Sequence, residues 1–160
     1  MTNKTIATTA SDPTVAAGTA QFLSPVVLGL QALTVNGKQA HWHVRGANFI
    51  GVHEFLDTVV ANAGAFADLA AERIVALGLP IDARSTTIAE KVGATQVGAG
   101  FEQSDAVIRA VIADIDAIIA DTQAAIEGLD EVDLTSQDVA INIKAGLEKD
   151  RWFLFSHLAA

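Results

Sequence analysis

The sequence predicts an all-α protein, a bundle of four long helices with one long crossover between the second and the third. Apolar residues recur with helical period over long stretches, as at Val107, Val111 and Ile115. Only three prolines interrupt the 160 residues, and 51% of the residues are hydrophobic, which suits one domain with a sizeable core. The chain has no cysteine, so disulfides, thiolate metal sites and thiol nucleophiles are excluded.

Capping and breaking residues bound the predicted helices. Ser24 and Pro25 suit a helix start, whereas Gly46 and Gly78 suit helix ends. The long helices are predicted at residues 24–44, 51–77, 104–128 and 135–157, with a short helix at 86–91 inside the crossover. Residues 1–18, which are small and polar, are predicted to form a flexible tail, and residues 19–160 the helical domain.

Charge and hydropathy narrow the function classes. The formal net charge is −9, and an acidic surface repels nucleic acid and anionic membranes while it concentrates cations. The sequence has neither a signal-peptide pattern nor an uninterrupted apolar run of about 18 residues, which a membrane span needs. We therefore expect a cytoplasmic protein without a membrane partner.

Histidines and carboxylates form one stripe along the second predicted helix. At about 100° per residue, Asp57 lies roughly 40° from His53, Asp68 roughly 60° and Glu72 roughly 100°. His53 with Asp57 and Asp68 with Glu72 are pairs at i, i+4, so each pair can converge on one ion. The stripe runs among apolar residues, where a carboxylate is costly unless it is paired or bound to metal.

The spacing of the two pairs predicts a site shared between subunits. Asp57 and Asp68 are eleven residues apart, about 16 Å along a helix, so one metal site cannot use both pairs of one chain. A two-fold axis near residues 62–64 would lay the first pair of one subunit against the second pair of another. His41, one turn from the end of the first helix, could add a fifth ligand, and the mixed N/O set suits iron, manganese or zinc.

Simpler interpretations compete at several of these positions. Arg73 could form an internal ion pair with Asp68 or Glu72, which would leave no metal site there. His43 is offset by two residues from His41, so on a continuous helix it points elsewhere.

Three segments carry a resemblance to a known family. They read KQAHWHVRGANFIGVHEFLDTVV, ADLAAERIVALG and LEKDRWFLFSHL. Over roughly residues 22–158 the chain closely resembles the Dps-like mini-ferritins, the starvation-induced DNA-protection proteins of bacteria, so the bundle is expected to be of ferritin-like type.

The resemblance implies a ferroxidase and an iron store. It implies that His41, His53 and Asp57 of one subunit, with Asp68 and Glu72 of its dimer mate, bind iron(II) and oxidise it with hydrogen peroxide or dioxygen. Two such sites are expected per two-fold dimer interface, and iron(III) mineral is stored in a shell of twelve subunits. Trp42 is implied to intercept oxidising equivalents, although core packing is an alternative role for it.

The resemblance also implies acidic pores at a three-fold axis. Asp130, Asp133 and Asp138 lie at the corresponding place and are candidate pore residues. An alternative for Asp138 is a capping box with Thr135 at the start of the fourth long helix.

One feature departs from the family, and two other function classes stay open. The N-terminus carries only Lys4, and the sequence ends without a basic extension, so strong DNA binding is not expected. A DNA-packaging protein is therefore disfavoured. A metal-dependent amide hydrolase is the other alternative, as a side activity, because a bound metal with an open position can activate water.

Overall fold

The computed structural model describes residues 12–158. Over this range the elements are α1 (Pro13–His43), β1 (Val44–Arg45), α2 (Phe49–Ala76), α3 (Ser85–Lys91), β2 (Glu102–Gln103), α4 (Ser104–Leu129) and α5 (Leu134–Ser156). The predicted all-α bundle with a short helix in its crossover is confirmed. The predicted bounds of α2, α3, α4 and α5 agree within two residues.

The start of α1 was wrongly predicted. The helix begins at Pro13, where Asp12 is the N-cap and its side chain accepts from the N–H of Thr14 at 2.7 Å. Residues 13–18 are therefore helical rather than part of a flexible tail, and residues 1–11 lie outside the described residues. Pro25 is inside the helix on its exposed side, so the carbonyl that its missing N–H leaves free can face water.

The core lies between the four long helices. α1 packs against α2 and α4, and α5 packs against α4 and α2. Large side chains that are fully buried come from all four: Leu23, Leu30, Leu56, Ile74, Ile108, Ile115, Ile143 and Leu147. Within the described range, only α1 is long and apolar enough to match a membrane span, a test that a core helix of a bundle also passes.

The crossover is tied to the bundle at several points. Its last residues form β2, which pairs in parallel with β1 of the α1–α2 connection, with Val44 opposite Glu102. Gln39 of α1 donates to the carbonyl of Gly98 at 3.2 Å, and Thr95 donates to the carboxylate of Asp114 in α4 at 2.6 Å. These contacts fix the segment that follows α3 against α1 and α4.

One carboxyl group is buried in the bundle without a cation. Asp150 of α5 is 3% exposed, and both its oxygens accept from Nδ2 of Asn62 in α2, at 2.9 and 3.0 Å. Burial raises the pKa of Asp150 above its usual value, and the Asn62 hydrogen bond and nearby Lys149 offset this only in part. The folded state therefore holds this proton to higher pH than the unfolded chain, so stability falls as pH rises from about 4.

We expect Asp150→Asn to raise the free energy of unfolding at neutral pH by about 1 kcal/mol, because an amide keeps the shape without the buried charge. The difference between the variant and the wild type should shrink as the pH falls, because the carboxyl of Asp150 becomes protonated and loses its charge. Urea titrations across this pH range at equal protein concentration measure both effects.

Asp116→Asn is the matched control. Asp116 pairs with Arg151 on the surface, where both side chains are well exposed, so its loss should destabilise slightly if at all. A lower stability of Asp150→Asn at neutral pH would contradict the cost assigned to the buried charge.

Candidate metal centre

The turn between α1 and α2 brings the first predicted ligands together. Gly46 and Asn48 have φ of 97° and 55°, in the left-handed region that lets the chain reverse within a few residues. Gly37 allows close helix approach one turn before His41, because a Cβ there would lie 2.7 Å from a methyl group of Val60. The end of α1 is thereby held directly against the start of α2.

His41 and His53 are joined by a reciprocal pair of hydrogen bonds. Nδ1 of His41 lies 2.7 Å from the backbone oxygen of His53, and Nδ1 of His53 lies 2.8 Å from the backbone oxygen of His41. A carbonyl only accepts, so each Nδ1 must carry its proton and donate. Each neutral ring therefore keeps its lone pair on Nε2, the form in which histidine ligates a metal.

Ring contacts add to these hydrogen bonds. The centroids of the His41 and His53 rings are 3.7 Å apart with planes 20° from parallel. The ring of Phe49, the first residue of α2, lies 5.1 Å from that of His53, at 29°. The sequence prediction did not include Phe49, although its i, i+4 spacing from His53 was visible.

Asp57 lies beside the histidines and is paired with a lysine. Its Oδ1 is 3.4 Å from Nδ1 of His41 and accepts from Nζ of Lys38 at 2.5 Å. The hydrogen bond from Lys38 lowers the pKa of Asp57, and the nearby histidines lower it further. Lys38 was also missed, although it precedes His41 by three residues on the same helix.

The second pair of carboxylates lies farther along α2. The helix is continuous from Phe49 to Ala76, so the spacing of about 16 Å between Asp57 and Asp68 applies. Asp68 and Glu72 are exposed, and within residues 12–158 neither side chain has a hydrogen bond or ion pair. Over the same range, no group of three or more His, Asp or Glu side chains in one subunit is placed to hold a metal alone.

The competing ion pair with Arg73 is not present. Arg73 turns instead to α5, where its guanidinium donates to Oδ2 of Asp133 at 2.6 Å and to Oγ of Ser136 at 2.9 Å. Asp68 and Glu72 thus remain without a cation in the described structure. Although apolar residues flank them in sequence, Asp57, Asp68 and Glu72 are all exposed in the subunit.

Trp42 and His43 follow His41 in the sequence and differ in their surroundings. Trp42 is 63% exposed, so the alternative of core packing is wrong in the subunit. His43 donates from Nδ1 to the carbonyl of Gln39 in its own helix at 2.8 Å, and its ring lies against Phe101. It therefore points away from the His41–His53 pair.

The candidate pore residues differ in availability. Burial raises the pKa of Asp133, but hydrogen bonds from Ser136 and Arg73 outweigh this and hold the pKa below its ordinary value. Asp133 is the N-cap of α5, so the alternative of a capping box between Thr135 and Asp138 is wrong. Asp130 accepts from Gln137 at 3.0 Å, and Asp138 is exposed.

Comparisons with known proteins identify the family of the chain. A family model described as a ferritin-like domain matches residues 29–160. A DNA protection during starvation protein from Mycolicibacterium smegmatis is 36% identical over 121 residues, which span 76% of this chain and 66% of that relative. One from Agrobacterium fabrum is 34% identical over 126 residues, 76% of this chain and 75% of that relative.

A solved structure is more similar still. The structure of Dps from Microbacterium arborescens in the high iron form is 67% identical, with a TM-score of 0.92 over 95% of this chain and 99% of that one. This chain is a Dps-like mini-ferritin of the ferritin-like family. The resemblance found in the sequence and the ferritin-like type of the bundle are therefore confirmed.

In this Dps-like chain, Lys38 already pairs with Asp57, so a metal at that carboxylate would have to displace it. We expect Lys38→Met to tighten zinc binding at neutral pH by about two- to fivefold, because an exposed ion pair of up to about 1 kcal/mol no longer has to be broken. Titration calorimetry with zinc measures this. Since Lys38 also lowers the pKa of Asp57, the variant should lose zinc at a higher pH than the wild type on acidification.

Lys91→Met, at the exposed end of α3, is the control for removing one positive charge elsewhere. Weaker zinc binding in Lys38→Met at neutral pH would show that the lysine supports the site rather than competes with the metal.

Proposed function

We propose that this Dps-like mini-ferritin binds iron(II) between two subunits, oxidises it and stores the iron(III). The observation that carries the proposal is the reciprocal hydrogen bonding of His41 and His53, which leaves the Nε2 lone pair of each ring free, with the carboxylate of Asp57 3.4 Å from Nδ1 of His41. Two imidazoles with carboxylates form a mixed N/O ligand set, which suits iron and leaves positions open for an oxidant.

The ligand set is completed by a second subunit in this proposal. Asp68 and Glu72 are exposed carboxylates without partners in the described structure, and they lie too far along α2 to join the histidines of their own chain. Around the midpoint of the helix, Ala61 and Ala65 are small and exposed, which permits close approach of an antiparallel α2. An isologous dimer then carries two complete sites.

The chemistry at such a site is a redox reaction of iron as substrate. Two iron(II) ions each give one electron to one molecule of hydrogen peroxide. The O–O bond breaks, and with two protons from solvent the peroxide becomes two molecules of water. Two iron(III) ions result. Dioxygen is the alternative oxidant. We propose that exposed Trp42, next to ligand His41, donates an electron to stray oxidising species and so limits damage.

Storage is proposed in a hollow shell of twelve subunits in the cytoplasm. Asp138 and Asp130 are proposed to line the acidic entry for iron, with Asp133 contributing less because its charge is paired with Arg73. Relatives carry the name DNA protection during starvation protein. With a net charge of −9, this chain is proposed to protect DNA by removing iron and peroxide rather than by coating it.

Complementation between two inactive variants tests the shared site. The first variant carries His53→Ala and Asp57→Asn, and the second carries Asp68→Asn and Glu72→Gln. Each alone should lose nearly all rapid iron oxidation, because each homodimer has two defective sites. In a mixed dimer one site combines all the intact residues, so random mixing of co-expressed subunits should restore about a quarter of the wild-type activity.

Equal assembly of all samples, checked by light scattering, is the control. If the mixed sample is as inactive as its parents, the ligands do not come from two subunits.

Iron uptake tests the storage function separately. Wild-type protein given iron(II) and hydrogen peroxide in small additions should retain hundreds of iron atoms per oligomer, without the hydroxyl radicals that free iron generates. Iron content after gel filtration and a spin trap measure the two quantities. Retention of only a few metal ions per subunit would rule out storage.

A further inference from the structure

We infer that Phe49 is a positioning residue for the proposed metal site, acting through His53. The inference rests on the proposed function, because it concerns the direction of the Nε2 lone pair that would ligate iron. Phe49 is not itself a ligand, since its phenyl ring offers no lone pair.

Hydrogen bonding alone leaves His53 incompletely fixed. The bond from its Nδ1 to the backbone oxygen of His41 holds one corner of the imidazole, but the ring can still pivot about that corner. Stacking contacts on the faces of the ring restrict this pivot. Two are present: the ring centroid of His41 lies 3.7 Å from that of His53, and the ring centroid of Phe49 lies 5.1 Å from it. His41 is itself a proposed ligand, so its ring must also face the metal. Phe49 is not a ligand, so its ring can hold the His53 ring in place without that constraint.

The local backbone gives Phe49 a defined position. It is the first residue of α2 and lies four residues before His53, so the two side chains are neighbours on one helix face. Its own N–H donates to the carbonyl of Gly46 at 3.2 Å, and the N–H of Val52 donates to that of Asn48 at 3.0 Å. The turn that joins α1 to α2 therefore also sets the aromatic ring against the histidine.

Cobalt(II) is the probe for the test, because its absorption spectrum reports ligand geometry as well as affinity. Titrations of the assembled protein should show that Phe49→Leu weakens cobalt binding about three- to tenfold and alters the spectrum of the bound ion, since a flat ring face is lost. Phe49→Tyr, which keeps the ring, should bind cobalt with wild-type affinity and spectrum.

Phe101→Leu is the matched control. Phe101 is also an exposed phenylalanine in contact with a histidine, but that histidine is His43, which points away from the site. Its variant should bind cobalt as the wild type does.

The outcomes separate this inference from the proposed function. If Phe49→Leu binds cobalt with wild-type affinity and spectrum while His53→Ala binds it weakly, the positioning role is overturned and the metal site stands. If His53→Ala also binds as the wild type, the proposed metal site fails. Where light scattering shows that Phe49→Leu changes the assembly, Phe49→Met replaces it, and wild-type binding in that variant overturns the positioning role equally.

Discussion

The reciprocal hydrogen bonds between His41 and His53 join the fold to the site. The carbonyl of His41 lies in the last turn of α1, where carbonyls have no partner within the helix. The ring of His53 supplies that partner, so the same contact closes the end of α1, docks it on α2 and fixes the tautomer of the imidazole. Stability and the proposed metal binding therefore depend on one pair of side chains, and a substitution at either should affect both.

The position of the site residues could be predicted because it follows from helix geometry. A continuous α2 places His53, Asp57, Asp68 and Glu72 on one stripe whatever the tertiary structure, and α2 is continuous. The apolar neighbours of these residues in sequence do not make the stripe buried. If His53 is set to 0° around the helix axis, the buried residues Val59, Ala63 and Ala70 lie near roughly 240–280°. The stripe therefore lies on the outer side of the helix, away from the core residues that stand between its members in the sequence.

Other features could not be predicted from sequence, because they depend on which of several equivalent partners a residue meets. A helix could start at Asp12-Pro13 or at Ser24-Pro25, because both pairs offer a capping side chain followed by proline. Leu23 and Val26, on either side of Ser24-Pro25, are buried in the core, so the helix continues through that pair and starts at Pro13. Arg73 follows Glu72 directly, yet it extends to Asp133, 60 residues away. No local pattern distinguishes these choices.

Arg73 and Lys38 affect the proposed site in opposite ways. Arg73 is committed to Asp133 and Ser136, which fastens the start of α5 to the end of α2 and leaves Asp68 and Glu72 unpaired. Lys38 remains on Asp57. An exposed pair of this kind contributes at most about 1 kcal/mol, far less than a metal gains from several ligands, so Lys38 can hold Asp57 next to His41 and still yield to iron. In the proposed site, a metal would therefore displace Lys38 from the half with the histidines, whereas Asp68 and Glu72 have no cation to be displaced within the described residues.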